Sequence, residues 1–472
     1  DNTYLGHWAG SGNAGSHSDN VGIGSSALGV VTTGSSNTAL GKDSSRLMTD
    51  GHNNVAIGNN SLEASTSLGY AVVIGNDAMV NGDATAAADG IVAIGASAGA
   101  AIIESEGTTA IGYRALASEN DGDFSTAVGY DALFSQTGTS GDVYNTAVGY
   151  KAGTAITTGI NNTVVGALAL DALGNGSQNI AIGNLALGTA ASVERCVAIG
   201  YEALGAGDTD QDGTIAIGYF AGKSIIGGFG NVAIGYESMA STSSGQHNTA
   251  VGYRAAKALV NGSDKNTAIG YNALTAANND TSHENTTLGY AAGDAVTTGN
   301  SNTCLGSQAN VSGGGAVSQI AIGQAVTGTA DNAVHIGNGT SHIRCDFNAD
   351  QTWDASSDRR QKKDIEESQL GLDFINDLKP SKYRYKSPSE FPKEWKAYDP
   401  EDKSPMGGSD KYYYGFIAQE VKEAVDKHDA SDCGVWNSDS DGRQRISREQ
   451  FVVSLIKAVQ ELTAKVEALE KK

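Results

Sequence analysis

Along most of the chain the apolar positions fall in short clusters of one form, Asn-Thr-Ala-(Ile/Val)-Gly-Tyr, clearest at Asn145–Tyr150, Asn248–Tyr253 and Asn266–Tyr271. Twenty copies align on the cluster's glycine, from Gly6 to Gly337. The residue before that glycine is Ile, Val or Leu in all 20, and Ala stands two before it in 13. Most steps between glycines are 17 residues, a few are 18–20, and the last is 14. Such a repeat predicts a mainly β fold, a parallel β-solenoid or β-roll. Each coil supplies one short strand and a return path, and successive coils stack in register. At ~4.8 Å per stacked strand, the 20 coils make an elongated shaft on the order of 95 Å long.

The two-residue alternation of a strand puts Ala and Gly on one face and Thr, Val/Ile and Tyr on the other. The aliphatic residue before the glycine is expected to form a continuous buried ladder. The Ala–Gly face is expected to pack closely against another sheet, across a threefold axis. Glycine permits a tight bend or a close backbone approach where a Cβ would clash. Asn at the start of the motif tolerates turn geometry and can stack as a hydrogen-bonded ladder. Steps longer than 17 mark loop insertions near Asp83–Asp89, Thr137–Val143 and Asp208–Gly213.

The pattern ends near Gly339, and the chemistry changes there. Residues 1–340 hold 9 of the Lys and Arg, against 22 in residues 341–472. Beyond Trp353 the chain is charged, punctuated by Pro and partly helical in pattern. The expected division is a repetitive shaft over 1–340, a linker over 341–356 and a smaller α+β domain over 357–472. Near the end, Leu455, Val459, Leu462, Val466 and Leu469 are spaced 4, 3, 4, 3, an a/d seam of about two heptads. A helix this short needs partners, and either closing a trimeric coiled coil or packing on its own domain would supply them.

Composition narrows the function. The chain of 472 residues has 62 Gly and only 5 Pro, which excludes collagen, and its 7% aromatic content is thin for a large globular core. A net charge of -22 argues against nucleic acid, which needs a basic footprint. No apolar run approaches the ~20 residues of a membrane span. The sequence opens at Asp1 without Met or signal peptide, as expected for a processed or trimmed chain. Cys196, Cys304, Cys345 and Cys433 fit neither a zinc site nor a disulfide framework and read as isolated structural residues.

No cofactor is expected. Asp208–Gly213 opens like a calcium loop, but Tyr219 stands where a bidentate Glu is needed. Asn437–Gly442 has the same start, with Arg448 at that position. The eight His are scattered. Tyr follows the motif glycine in six consecutive coils, Tyr201 to Tyr290, either as a packing ladder or as a sugar-binding one. A Thr column (Thr126, Thr146, Thr163, Thr249, Thr267, Thr303) has one Thr per coil, where ice binding wants a paired array. No paired carboxylates recur in a setting that suggests glycosidase chemistry.

Residues 1–340 resemble the heads of trimeric autotransporter adhesins, which are left-handed parallel β-rolls assembled as trimers, and still more the repeats of phage tail fibres. The C-terminal segment carries ordered blocks. Ser357-Asp358-Arg359-Arg360-Gln361-Lys362-Lys363-Asp364-Ile365 is followed by Leu378-Lys379-Pro380, Tyr383-Arg384-Tyr385 and Gly415-Phe416-Ile417-Ala418-Gln419-Glu420-Val421. In this order they resemble the endosialidase-type intramolecular chaperone.

That resemblance implies a Ser–Lys dyad that cuts the chain once the trimer has formed, with Ser357 as nucleophile and Lys362 as base. A Ser hydroxyl needs such a base, and a Lys serves only where burial or nearby cations loosen its proton. Arg359, Arg360 and Lys363 supply positive charge, and Asp358 orients the turn. Attack on the preceding carbonyl passes through a five-membered ring, which favours the Ser356–Ser357 bond. The resemblance thus implies a homotrimeric fibre or adhesin subunit on a virion tail or extracellular surface. Its partners would be itself, a cell-surface receptor such as a glycan, and a baseplate or upstream fibre protein. The alternatives are a glycan-degrading tailspike enzyme and a cellular surface adhesin built from the same parts.

Overall fold

The computed structural model describes residues 1–12, 15–81, 89–138, 141–206, 211–260, 262–348, 353–354, 357–395, 397–405, 411–431, 433–439 and 442–471. The chain divides into two compact units, Asp1–Ser356 and Ser357–Lys472.

The first unit is a solenoid of about 17 residues per coil. Strands of three residues, from Thr3–Leu5 to Ile320–Ile322, stack in parallel, and the longer Ala333–Asn338 closes the column as its twentieth strand. Register is kept on the motif glycine, as in Val197↔Ile215, Ala198↔Ala216 and Ile199↔Ile217. Residues 341–356, read from the sequence as a linker, carry the strand Ser341–Asp346, which turns back antiparallel on Ala333–Asn338. The insertions near Asp83–Asp89 and Asp208–Gly213 lie mostly outside the described residues, and that at Thr137–Val143 partly so.

The strand faces are the reverse of the sequence expectation. The central Ala of each strand points into the coil and is fully buried, as at Ala56, Ala110, Ala198 and Ala250. The flanking residues, including the aliphatic before the glycine, point outward and are half-exposed, with Leu40, Val148 and Leu288 fully on the exposed side. The coil interior is narrow, so its strand contributes a methyl group there. Ala therefore does not pack across a threefold axis; the Thr and Ile/Val/Leu columns form the outer face.

The interior is filled instead from the turn after the glycine. Leu28, Leu62, Leu116, Leu133, Leu170, Leu187, Leu204 and Leu274, each four residues past a motif glycine, are fully buried at φ 49° to 53°. A left-handed Leu costs about 1 kcal/mol, and burying it returns roughly 2 kcal/mol, so packing wins. Where that position is Gly99, Gly153 or Gly222, the space is taken by Ile102, Ile156 or Ile225 three residues on; a Cβ at Gly153 would stand 2.9 Å from the Ile156 Cδ1. The motif glycines stack on one another, and a Cβ at Gly166 would lie 2.5 Å from the Gly183 carbonyl oxygen, at a backbone φ of 136°.

The Asn ladder expected from the sequence is present. Asn162 donates its N–H to Asn145 Oδ1 at 2.9 Å and its Nδ2 to the Gly176 carbonyl at 3.0 Å. Asn179 repeats both bonds one coil on. The ladder runs in three stretches, Asn2–Asn54, Asn145–Asn179 and Asn231–Asn302. It is broken by Ala71, Ile91, Thr108 and Ser125, and again by Cys196 and Thr214.

The second unit packs helix α1 (Leu372–Asp377), α2 (Ala418–Lys427) and α3 (Gln450–Glu470) with two short antiparallel strand pairs, Ser381–Tyr383 with Tyr413–Gly415 and Trp436–Ser438 with Gln444–Ile446. Its core is Leu370, Phe374, Val421, Ala424, Val425, Val435 and Phe451.

Candidate functional site

Ser357 and Lys362 open the second unit. Asp358 accepts the backbone N–H of Arg360 at 2.8 Å and so caps a single 3-10 turn, Arg359–Gln361. Lys362 closes that turn, donating its N–H to the Arg359 carbonyl at 3.1 Å. The turn folds five residues back on themselves, and Lys362 Nζ donates to Ser357 Oγ at 2.6 Å. The candidate nucleophile and its candidate base are thus in direct contact, within reach for proton transfer.

The charges around the pair are arranged unevenly. The Arg360 guanidinium lies on Asp358, at 2.6 Å, and with the backbone bond it holds that carboxyl below its usual range. Ser357, Arg359, Lys362 and Lys363 are exposed. The single chain therefore brings the candidate dyad together without burying Lys362. Ser356, on the other side of the favoured bond, lies outside the described residues.

The remaining motif blocks build the support. Gly415 ends a strand, Ile417 stands at the N-terminal cap of α2, Val421 is buried and the Phe416 ring lies 5.1 Å from Phe451. Asp377 holds His428 at 2.7 Å and Lys427 at 2.7 Å, tying α1 to α2. Glu461 of α3 accepts the N–H of Leu372 at 2.8 Å. On α3, Phe451 and Ala458 face the core, while Val452, Leu455, Val459, Leu462, Val466 and Leu469 are 46–69% exposed. The predicted seam is therefore free in the single chain.

On the shaft, Tyr201, Tyr219, Tyr236, Tyr253, Tyr271 and Tyr290 stack with centroids 4.9–5.4 Å apart and planes within 13°. Each inner ring has both faces covered by its neighbours, which leaves edges and hydroxyls to solvent rather than a platform for a sugar ring. A shallow recess of about 270 Å³ is lined by Asp264, Lys265, His283, Glu284, Asn300 and Ser301, and its Glu284 is engaged by Lys265 at 3.6 Å. Asp208 and Asp210 of the calcium-like loop lie outside the described residues, as do Ser440 and Asp441. The four cysteines are free thiols; burial pushes Cys196 up to about 11 and Cys304 to about 12, so both are inert.

Sequence reasoning missed an exposed patch on the first strand pair of this unit. Lys382 Nζ lies 4.1 Å from the Tyr412 ring centre and the Arg384 guanidinium 4.6 Å from it, with Tyr414 beside them. The alternation of Lys382 and Arg384 opposite Tyr412 and Tyr414 was its available signal.

Residues 357–430 match the family model Peptidase_S74, described as chaperone of endosialidase. The match begins at the nucleophile candidate and takes in α1, α2 and the first strand pair. No curated protein matches the chain. Among the described residues no helix is long and apolar enough to cross a membrane.

Proposed function

We propose that the chain is the subunit of a homotrimeric fibre, of a phage or phage-like particle, that attaches to a cell surface. Its C-terminal unit is an assembly chaperone that cuts itself from the shaft. The observation that carries this reading is the Ser357–Lys362 hydrogen bond at the first residue of the chaperone match.

Two apolar surfaces left open in the single chain support the trimer. One is the α3 seam. The other is the outer face of the solenoid sheet, where an unbroken aliphatic column runs partly exposed beside a mixed column of Thr and Val or Ile. Closed symmetric assembly covers such faces with copies of themselves.

The cleavage chemistry follows from the dyad. Lys362 takes the Ser357 hydroxyl proton as Oγ attacks the Ser356 carbonyl carbon. The C–N bond breaks, the proton passes to the departing Ser357 amine, and an ester links the two residues. Water then hydrolyses the ester, leaving a carboxylate on Ser356 and restoring the hydroxyl. Assembly that buries Lys362 is what would loosen its proton, so cleavage is linked to trimer formation. Removal of the chaperone then makes the assembled state persistent, since the shaft can no longer be reassembled from its parts.

The test is expression of the full chain beside Ser357→Ala. Denaturing gels should show fragments 1–356 and 357–472 from the native chain alone. Two intact chains under conditions where trimers form would remove the autoprotease from this reading.

A further inference from the structure

The outer face of the solenoid carries two columns with different alphabets. The column before the motif glycine is aliphatic in every coil, so it holds no information about position along the shaft. The column three before the glycine opens with Thr3, Val21, Thr38, Val55, Val72 and Val92, and from Thr109 onward it switches between Thr and Val or Ile in blocks. Thr109, Thr126, Thr146 and Thr163 are followed by Ile180, Val197, Ile215 and Val232. Then come Thr249, Thr267, Thr286 and Thr303, and finally Ile320 and Val334. All of these but Val334 are partly or fully exposed. Among the described residues, none of the eight Thr hydroxyls from Thr109 onward has a hydrogen-bond partner within the chain.

We infer that this column is a registration code read between copies of the chain, setting Thr layers against Thr layers and aliphatic layers against aliphatic ones. The inference rests on the homotrimer reading. Thr and Val have nearly the same shape, so the switch changes polarity while leaving the packing outline alone. Where three like strands meet, the hydroxyls of a Thr layer can bond one another and a Val or Ile layer closes dry. An offset of one coil sets hydroxyls against methyl groups at every block boundary. An offset of four coils does so throughout the repeated blocks. A hydroxyl in that position has lost its water and gained no partner.

From Thr109 onward the blocks recur after eight coils, so an offset of eight realigns them and leaves only Val21 against Thr163 and Thr38 against Ile180 out of step. The code is therefore unambiguous locally and degenerate at long range. The α3 seam occurs once per chain and has no such repeat, which makes it suited to remove the remaining ambiguity.

The test uses the full chain, co-expressed with a mass-tagged variant carrying Thr249→Val, Thr267→Val, Thr286→Val and Thr303→Val, and read by native mass spectrometry. Each chain should form its own trimers, with mixed trimers more than about tenfold below binomial proportions. Binomial mixing overturns the code and leaves the trimer standing. A native chain that runs as a single copy overturns the trimer reading itself. If the first variant fails to assemble alone, the reverse variant carries the same test. It has Ile180→Thr, Val197→Thr, Ile215→Thr and Val232→Thr; depletion of its mixed trimers supports the code, and free mixing overturns it.

Discussion

The ammonium of Lys362 donates to the hydroxyl of Ser357 across a turn capped by Asp358. Only a group that can lose a proton serves as base there. Lys362→Met should stop cleavage as completely as Ser357→Ala, and Lys362→Arg should not restore it, because a guanidinium stays protonated. The ratio of intact to cut chain on denaturing gels reads this directly. Efficient cutting by the Arg variant would show that the residue acts only as a positive charge.

Asp358 holds the turn rather than the proton. Asp358→Ala frees the Arg360 N–H and unpairs its guanidinium, so cleavage should slow by roughly tenfold, as for loss of a cap of about 1 kcal/mol or more. Asp358→Asn, which still accepts the backbone bond, should recover most of the rate. A time course of fragment appearance separates the two, and equal rates for all three chains would make the cap irrelevant.

Leu462 is half-exposed on α3 and lies outside the buried core of its own unit. In a lone chain Leu462→Asp would be nearly neutral, within about 0.5 kcal/mol. If the seam closes between copies, the same change should abolish trimers seen by light scattering while leaving helix content unchanged. Retained trimers would exclude the seam from assembly.

Asn162 sits inside an unbroken stretch of the ladder, and its Oδ1 accepts the N–H of Asn179 at 3.0 Å. Asn162→Ala leaves that buried N–H and the Gly176 carbonyl without partners, a cost of roughly 2–4 kcal/mol. Amide exchange at Asn179 should accelerate on the order of a hundredfold, with Asn302 unaffected. Uniform exchange along the shaft would mean that the ladder contributes nothing local.

Glu119 is fully buried, and burial raises its carboxyl above the ordinary range despite bonds from Gln136 and the N–H groups of Gly122, Asn120 and Asp121. The folded state therefore keeps a proton that the unfolded chain has already released. Its contribution to stability is complete below the ordinary value, about pH 4.3, and falls as pH rises through the folded value. Thermal melts of the native chain and Glu119→Gln should diverge as pH rises from about 4 to 7, with the native chain losing stability relative to the variant. A constant difference across that range would contradict the assignment.

The sequence carried the coil count, the strand positions, the Asn ladder and the change of character before residue 357, because each repeats or is punctuated. It did not carry which strand face is inside. Ala56 and Ile57 are both apolar, and a two-residue alternation is symmetric to exchange of faces. The deciding signal lay elsewhere, in the buried Leu or Gly–Ile pair after each glycine, as at Leu62 and at Gly153 with Ile156. Those residues had already supplied the apolar filling, leaving room for only a methyl group from the strand. For the candidate site, Ser357 and Lys362 could be read from the motif. Their exposure could not, since burial depends on neighbours that a linear motif does not name.

The gaps in the Asn ladder have a mechanical consequence. Bonds between coils run along the shaft axis, so a pull on its ends loads the coil junctions in series. Within one chain, the tensile strength is then that of its weakest junction and not of the sum. Among the described residues from Ala71 to Ser125 no Asn side-chain amide bridges successive coils, whereas Asn231 to Asn302 is bridged at every step. A tethered shaft would give way first in that N-terminal stretch, and the coils from Asn231 to Asn302 would come through intact.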